Sequence, residues 1–313
     1  MRYLVTGGAG FIGSHIVEAL LSHGESVRVI DNFSTGKREN LTPFRDSVEV
    51  IEGDIRSYHI VSEAVRGIDA ILHQAALPSV PRSIRDPITT NDVVVVGTLN
   101  VLQAALGAGV KRVVYASSSS VYGDTPELPK REDTTPNPLS PYAVAKLAGE
   151  KYCSVFARIY NLEVVALRYF NVFGPRQDPT SQYAAVIPKF ALAMMQGIRP
   201  VIYGDGEQSR DFTYVADIVS ANLAAAEAAN VSGLVMNVAC NRSVSLNQMV
   251  AHLNKILSTD ITPIYEAPRP GEVRHSLADV DRASALLGYR PATSFEEGLR
   301  LTVASLNAKL NRH

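Results

Sequence analysis

Short apolar runs alternate with helical stretches through the first half of the chain. The runs cover residues 3–6, 27–30, 48–52, 70–73, 113–117 and 164–168. Strands that alternate with helices in this way predict an α/β fold with a parallel, doubly wound sheet. Ligands of such sheets bind beyond the carboxyl ends of the strands.

Polar residues follow several of these predicted strands. They are Asp31-Asn32, Gly53-Asp54, His73-Gln74 and the serines at 117–120. Because the carboxyl ends of parallel strands lie at one edge of a sheet, we expect a single cleft to collect all four groups.

A glycine-rich turn separates the first apolar run from the first helical stretch. Gly7, Gly10 and Gly13 have GxxGxxG spacing, which permits a tight turn, a close approach to a pyrophosphate and tight packing of helix on strand. Asp31 ends the second strand 18 residues after Gly13, where a carboxylate can bind both ribose hydroxyls of an adenosine and repel a 2′-phosphate. The sequence therefore predicts a Rossmann-type site for NAD rather than NADP.

The alternation loosens after about residue 170 into loops that contain Pro and Gly. We place an NAD-binding domain at residues 1–170 and a smaller α/β substrate-binding domain at residues 171–313. An apolar run at 212–215 and an Ala-rich helical stretch at 217–229 predict that residues 212–239 return to the main sheet. The two domains are therefore expected to be interleaved.

Composition narrows the class of protein. The 313 residues carry a formal charge of -1, which gives no electrostatic case for binding nucleic acid or an anionic membrane surface. We find neither a signal-peptide pattern nor an uninterrupted apolar run long enough for a bilayer, so we expect a cytoplasmic protein. Cys153 and Cys240 lack CxxC spacing and the histidines lack HxxxH pairing, so we expect reduced thiols and no metal site.

Tyr142 and Lys146 are four residues apart on one helical face, directly after a Ser140-Pro141 pair typical of a helix start. A free phenol has a pKa of about 10, so Tyr142 can act as a base only where positive charge stabilises its phenolate. Lys146 and an oxidised nicotinamide can supply that charge. The spacing also occurs by chance, and it gains weight because the upstream serines can flank the same substrate oxygen as the phenol.

Taken together, these motifs resemble the extended short-chain dehydrogenase/reductases, and most closely the UDP-sugar 4-epimerases. The resemblance runs from residue 2 to about residue 290 and rests on residues 7–13, 31–32, 54–55, 73–76, 117–123, 142–146, 167–174 and 209–212. It implies an NAD-dependent isomerase with Ser118, Tyr142 and Lys146 as catalytic residues. The cofactor contacts that it implies are Gly7, Gly10, Phe11, Ile12, Asp31, Asn32, Ser34, Gly36, Asp54, Ile55, Gln74, Ala75, Ala76, Tyr142, Lys146 and Phe170.

The segment after the serines separates the chemistries of this family. Dehydratases of nucleotide sugars typically carry an Asp-Glu pair there, whereas this chain has Ser119 and Ser120. The expected reaction is therefore reversible removal of hydride from C4, rotation of the 4-keto sugar and return of the hydride to its opposite face.

Segments 73–83, 171–179, 183–188 and 271–279 resemble the subgroup that acts on UDP-N-acetylglucosamine and UDP-N-acetylgalactosamine. The resemblance implies Arg210 and Arg269 as diphosphate clamps, Asn171 at the diphosphate or sugar, and Ala185 and Val186 at the uridine. Ser276 falls where glucose-restricted relatives carry a bulky tyrosine, so it leaves room for an N-acetyl group. The implied substrate contacts are Ser79, Ser118, Ser119, Ser120, Tyr142, Asn171, Gln177, Ala185, Val186, Tyr203, Arg210, Arg269, Glu272 and Ser276, with Glu272 at the uridine ribose and Ser79 and Gln177 at the acetamido side.

Two positions depart from the pattern: Val94 stands where relatives commonly have an asparagine, and Pro78 replaces a lysine found in some hexose epimerases. Four alternatives stay open, namely UDP-glucose and UDP-galactose as further substrates, an epimerase restricted to them, a UDP-glucuronate 4-epimerase, and a non-catalytic NAD-binding sensor. By resemblance we expect a homodimer that pairs through helices at 93–105 and 141–160, although their apolar residues are equally compatible with a core.

Overall fold

The computed structural model describes residues 1–179, 185–268 and 274–310. Arg269 and Glu272, two of the expected substrate contacts, lie outside these residues. The strands are β1 (Arg2–Thr6), β2 (Ser26–Asp31), β3 (Val48–Glu52), β4 (Ala70–His73), β5 (Arg112–Ser118), β6 (Glu163–Tyr169), β7 (Val172–Phe173), β8 (Val201–Tyr203), β9 (Ser209–Asp211), β10 (Thr213–Tyr214), β11 (Val235–Val238), β12 (Ser243–Ser245) and β13 (Ile264–Glu266). The α-helices are α1 (Phe11–Ser22), α2 (Tyr58–Ala64), α3 (Val80–Arg85), α4 (Pro87–Asn91), α5 (Gly97–Ala108), α6 (Pro141–Ile159), α7 (Val186–Met195), α8 (Val215–Glu227), α9 (Leu246–Leu257), α10 (Asp281–Leu287) and α11 (Phe295–Leu310).

Seven of the described strands form the main sheet, in the order β11-β6-β5-β4-β1-β2-β3. All neighbours in it run parallel, which confirms the predicted fold class. The order reverses between β1 and β4, because β2 and β3 extend to one side of β1 while β4, β5 and β6 extend to the other. A doubly wound sheet binds its ligand at this switch point.

The sheet is apolar on both faces because helices cover both. Successive residues of β1 enter different cores: Leu4 packs with Ile71 and Val113 on one face, and Val5 packs with Leu72 on the other. This alternation is the period of two expected of a strand, and its apolar character on both faces is typical of parallel sheets. The site therefore lies on a rigid base of buried strands.

After β6 the chain leaves the main sheet and forms three two-stranded sheets, which pair β7 with β10, β8 with β13 and β9 with β12. Their surroundings include a separate apolar core built around Phe173, Phe190 and Leu253. Helix α8 packs back on the first core through Ile218, and β11 then joins the main sheet beside β6. The exact division into two domains stays a prediction.

Helix α4, a π-helical turn at Asp92–Val96 and helix α5 form one continuous helix, Pro87–Ala108. Among the described residues it alone has the length and mean composition of a membrane span, although Asn91 and Asp92 interrupt its apolar residues. A core helix passes the same test, and Val101, Leu102 and Ala105 of α5 are fully buried against the sheet.

The glycine turn depends on very close packing between its two ends. A Cβ atom on Gly13 would lie 2.2 Å from the carbonyl oxygen of Gly7, so helix α1 can approach the turn only with glycine at this position. Gly107 is also a helical glycine, but an added Cβ there would meet nothing within 4 Å.

These two glycines give a matched pair of variants. We expect Gly13→Ala to destabilise the protein by about 1–3 kcal/mol, because the methyl group overlaps backbone atoms that cannot move apart cheaply. Gly107→Ala is expected to raise stability by up to about 1 kcal/mol, because alanine is the better helix former. Thermal unfolding followed by circular dichroism measures both, and a Gly13→Ala protein as stable as the wild type would contradict the packing role.

Candidate active site

The glycine turn lies at the carboxyl end of β1. Gly7 adopts a left-handed backbone, with φ at +69°, and a Cβ on it would lie 2.8 Å from the Cα of Ala75. In front of Gly10 there is open space, since an added Cβ would meet only the Gly7 oxygen, at 3.1 Å. Within the described residues no side chain caps the amides at the start of α1, where Phe11 and Ile12 lie. A pyrophosphate fits this cradle.

Asp31 provides the acid at the end of β2. Its carboxylate is buried and accepts hydrogen bonds from the amides of Ala9, at 2.9 Å, and Phe33, at 2.8 Å. A Cβ on Gly36 would come within 2.8 and 2.9 Å of the two carboxylate oxygens. Gly36 therefore leaves one face of the carboxylate open to a ribose, while burial raises the pKa of Asp31.

The neighbouring polar residues form a small network beside Asp31. The Asn32 amide donates to Asp54 at 2.8 Å and its oxygen accepts from the Ser34 amide at 3.0 Å. Hydrogen bonds from Arg56 lower the pKa of Asp54 to about 2, so this carboxylate is ionised at neutral pH. Ile55 is buried next to it. The arrangement gives an adenosine both polar and apolar surroundings.

On the other side of the glycine turn, hydrogen bonds attach Gln74 and Ala75, which follow β4, to strands of the main sheet. The Ala75 amide donates to Thr6 at 3.1 Å, and the Gln74 side chain donates to Tyr169 at 3.1 Å. Ala76 follows at the partly exposed end of the strand. The side chain of Phe170, another expected cofactor contact, is fully buried in a cluster with Val121.

The expected catalytic residues come together between β5 and α6. Ser140 caps α6 by accepting from the Ala143 amide at 3.2 Å, which confirms the predicted helix start. Both Tyr142 and Lys146 are buried, and the Lys146 ammonium donates to the carbonyl oxygen of Ala116 at 2.6 Å. Ser118 ends β5 and shares a hydrogen bond with the Tyr142 phenol.

Burial dominates the protonation of this group. It raises the pKa of Tyr142 to about 12, and the hydrogen bond with Ser118 only partly opposes that rise. It lowers the pKa of Lys146 to about 8. The Lys146 ammonium lies 5.9 Å from the centre of the Tyr142 ring. In the protein alone Tyr142 therefore stays protonated at neutral pH, and the joint contribution of Lys146 and an oxidised nicotinamide stays a prediction.

The other serines divide between two directions. Ser119 and Ser120 begin a 3₁₀ turn, and the Ser120 amide donates to the Ser118 hydroxyl at 3.2 Å. The Ser120 hydroxyl is buried and has no hydrogen-bond partner among the described residues, so it is available to a ligand. Ser117 instead turns into the protein and donates to Glu150 at 2.5 Å.

A cavity of about 420 Å³ is lined by residues that follow β6 in the chain. Five of the expected substrate contacts line it: Asn171, Ala185, Val186, Tyr203 and Arg210. Lys189 and Gln208 line it as well, although neither was expected. The one available signal for Lys189 is its spacing, because it follows Val186 by three residues on α7 and so shares its side of the helix.

Three further expected contacts, Gln177, Ser276 and Ser79, are not among the described residues that line this cavity. Gln177 donates to the Val172 carbonyl at 3.2 Å and leaves its buried side-chain oxygen without a partner in the described chain. The Ser276 amide donates to the Ser209 carbonyl at 3.0 Å, one residue from Arg210. Ser79 lies much earlier in the chain than Gln177 and Ser276, and its side chain caps α3 by accepting a hydrogen bond from the Arg82 amide at 3.1 Å.

Of the two departures, Val94 is buried in the π-helical turn, so position 94 offers the site no polar side chain. Pro78 is exposed just before α3. Within the described ranges no three His, Cys, Asp or Glu side chains come together in a group that can hold a metal ion.

Comparison with known proteins gives consistent matches. Residues 3–239 match the model of the NAD dependent epimerase/dehydratase family. The UDP-glucose 4-epimerase of Mycolicibacterium smegmatis is 38% identical over 312 residues, which cover 97% of each chain.

Two solved structures are similar over the whole chain. The UDP-N-acetylglucosamine 4-epimerase of Methanobrevibacter ruminantium, in complex with UDP-N-acetylmuramic acid, is 43% identical, with a TM-score of 0.94 and 98% of each chain covered. The UDP-glucose 4-epimerase of Thermotoga maritima, with UDP-glucose, is 39% identical, with a TM-score of 0.94 and coverage of 99% of this chain and 100% of that one.

Proposed function

This chain belongs to the NAD dependent epimerase/dehydratase family, and we propose that it interconverts UDP-N-acetylglucosamine and UDP-N-acetylgalactosamine and also accepts UDP-glucose and UDP-galactose. At the coarser level it is an NAD-dependent UDP-sugar 4-epimerase, and therefore an isomerase. The predictions of family, cofactor and enzyme class are confirmed. A non-catalytic NAD-binding sensor is thereby excluded.

In the proposed mechanism Tyr142 is the base. It takes the proton of the 4-hydroxyl as C4 is oxidised and returns it to O4 after the 4-keto sugar has turned. Ser118, which shares a hydrogen bond with the phenol, assists this transfer. NAD, when bound, takes up and returns the hydride and brings a positive charge. That charge favours the phenolate of a tyrosine whose pKa burial raises to about 12.

The side chains next to the reacting position do not favour elimination of water. Serines, not carboxylic acids, follow Ser118 in the turn. Glu150 is buried nearby, but Arg168 and Ser117 hold its carboxylate. Because the turn after Ser118 supplies no acid and base pair and Glu150 is held by its partners, oxidation and re-reduction at C4 is the reaction that these described residues support.

The cavity is the proposed site of the uridine diphosphate. Arg210 donates to the carbonyl oxygens of Ser209, at 2.9 Å, and Arg274, at 3.0 Å, which fixes its guanidinium at the cavity wall. Asn171 donates to the Asp211 carbonyl at 3.1 Å beside it. Together with the Lys189 ammonium, this gives the cavity two cationic groups for an anionic diphosphate. Arg269 and Glu272 stay predictions from the sequence.

The proposed preference for acetamido sugars rests on Ser276. Backbone bonds fix its segment on both sides: its own amide donates to Ser209 at 3.0 Å, and the carbonyl of Leu277 accepts from the Lys130 amide at 2.7 Å. The next amide, of Ala278, donates to Asp211 at 3.2 Å. Because this backbone is fixed, the size of the side chain at position 276 sets the volume that is left for the N-acetyl group in the proposed complex. The identity of 43% with a UDP-N-acetylglucosamine 4-epimerase supports the same preference.

We also propose a homodimer. Helix α6 carries exposed apolar residues on one face, at Val144, Val155 and Ile159, of which Ile159 is 70% exposed. Helices α3 and α4, which pack beside α6, expose Ile84 and Ile88, the latter by 74%. Contiguous apolar surface of this kind on a globular protein is typical of an interface.

Light scattering of the purified protein tests the dimer. We expect twice the mass of the 33.8 kDa chain, and Ile88→Arg with Ile159→Arg is expected to halve it by placing like charges at the interface. Val50→Arg, an exposed apolar residue of the edge strand β3, is the control and should leave the mass unchanged. A monomeric wild type would contradict the proposal.

The choice of sugar is tested with purified enzyme on UDP-N-acetylglucosamine, UDP-glucose and UDP-glucuronate without added reductant. We expect turnover of the first two. Ser276→Tyr is expected to lower kcat/KM for the acetamido substrate by about 10- to 200-fold and to spare UDP-galactose, because the ring fills the volume of the N-acetyl group.

Ser276→Ala keeps the volume and serves as the matched control, with both activities retained. Equal effects of Ser276→Tyr on both sugar types would contradict the role of Ser276. Turnover of UDP-glucuronate alone would assign the enzyme to uronates instead.

A further inference from the structure

We propose that Glu150 is a positioning residue for the reaction, which together with Arg168 fixes helix α6 on strands β5 and β6 and thereby holds Tyr142 against Ser118. The inference rests on the proposed roles of those two residues. Glu150 itself is buried and is not among the described residues that line the cavity.

Glu150 lies on the same face of α6 as the catalytic pair, one turn after Lys146 and two turns after Tyr142. Its carboxylate accepts from the Ser117 hydroxyl at 2.5 Å and from two nitrogens of Arg168, both at 2.8 Å. All three of these hydrogen bonds come from strand residues, and one helical face joins the reacting phenol to the sheet.

The contacts of this face fall immediately before Ser118 in the sequence. Lys146 donates to the carbonyl oxygen of Ala116, and Glu150 accepts from Ser117, so two successive residues of β5 are bonded to α6. Any slide of the helix along β5 would break both bonds. The same slide would change the distance between the Tyr142 phenol and the Ser118 hydroxyl, and displacements of about 1 Å at such a site cost up to about 100-fold in rate.

Arg168 extends this connection across the sheet. It pairs in register with Ser117 on one side and with Asn237 of β11 on the other. Its guanidinium lies 4.6 Å from the ring centre of Tyr122, at the end of the 3₁₀ turn that follows Ser118, and the Tyr122 hydroxyl donates to Asn237 at 2.7 Å. The pair of Glu150 and Arg168 thus holds the turn with the catalytic serine as well as the helix.

The negative charge of Glu150 also affects the pKa of Lys146. Burial lowers the pKa of Lys146, whereas the charge of Glu150 raises it. The titratable and charged groups that surround this ammonium are His73 on β4, Tyr115 on β5, Arg168 on β6, and Tyr142, Glu150 and Cys153 on its own helix. Loss of the Glu150 charge would therefore make Lys146 lose its proton at lower pH.

If the pair of Glu150 and Arg168 only stabilised the fold, its removal would have a different effect. Removing one partner of a buried pair destabilises the protein, because it leaves the other charge unpaired. The fraction of enzyme that stays folded would then keep its turnover number and its pH dependence. Turnover per folded, NAD-loaded enzyme separates the two cases.

The test compares Glu150→Gln with wild type in the full chain, with bound NAD quantified from its absorbance. We expect kcat to fall by about 10- to 100-fold while KM for the UDP-sugar changes less than about 3-fold, because the positioning loss acts on the chemical step. The alkaline limb of the kcat profile is expected to move to lower pH. Ser117→Ala keeps the carboxylate charge, so it should lower kcat and leave that limb in place.

Glu297→Gln, which removes one carboxylate of an exposed pair with Arg300, is the matched control and should leave kcat unchanged. If Glu150→Gln does not fold, the double variant Glu150→Gln with Arg168→Met removes the unpaired guanidinium and is expected to show the same fall in kcat. A wild-type kcat and pH profile in the folded variant would overturn the inference. Tyr142→Phe runs alongside: near-normal turnover there would instead overturn the proposed base, whatever Glu150 does.

Discussion

The bond from the Lys146 ammonium to the carbonyl oxygen of Ala116 joins the two elements on which the site depends. Strand β5 carries Ser118 at its end, and helix α6 carries Tyr142 near its start. Both elements contribute side chains to one close-packed apolar core, Tyr115 from β5 and Phe156 from α6, so their movements are coupled. The distance between the Tyr142 phenol and the Ser118 hydroxyl therefore depends on how α6 packs on β5. For this reason a buried residue such as Glu150 can affect the reaction without contacting the substrate.

Sheet topology then separates the two halves of the substrate complex. The proposed cofactor cradle forms where the strand order reverses between β1 and β4, and the cavity proposed for the uridine diphosphate is built by chain that follows β6. In the proposed complex the nucleotide is bound in this cavity while its sugar rotates next to Tyr142. Reversal of configuration at C4 requires such a rotation. Tyr142 has its pKa raised to about 12 by burial, so its activity depends on a cationic cofactor.

Local patterns were sufficient for part of this structure. The apolar runs predicted the first six strands, the glycine spacing predicted the turn, and Ser140-Pro141 predicted the start of α6, because each depends on neighbours in sequence. Other features depend on contacts between segments that are distant in sequence, and no local pattern contains these contacts. They are the position of Lys189 at the cavity, the hydrogen-bond partners of Glu150 and the burial of Phe170. The raised pKa of Tyr142 also depends on such contacts, since burial is its main cause.

The central claim is that one hydride leaves C4 and returns to C4 of the same sugar, on a cofactor that stays with the protein. The direct measurement uses UDP-N-acetylglucosamine and UDP-glucose carrying deuterium at C4, with purified enzyme in ordinary water and no added NAD or NADH. Mass spectrometry and NMR of the product give the position of the label. We predict that the epimer keeps its deuterium at C4. Loss of the label to water, or turnover only with added NADH, would contradict the claim.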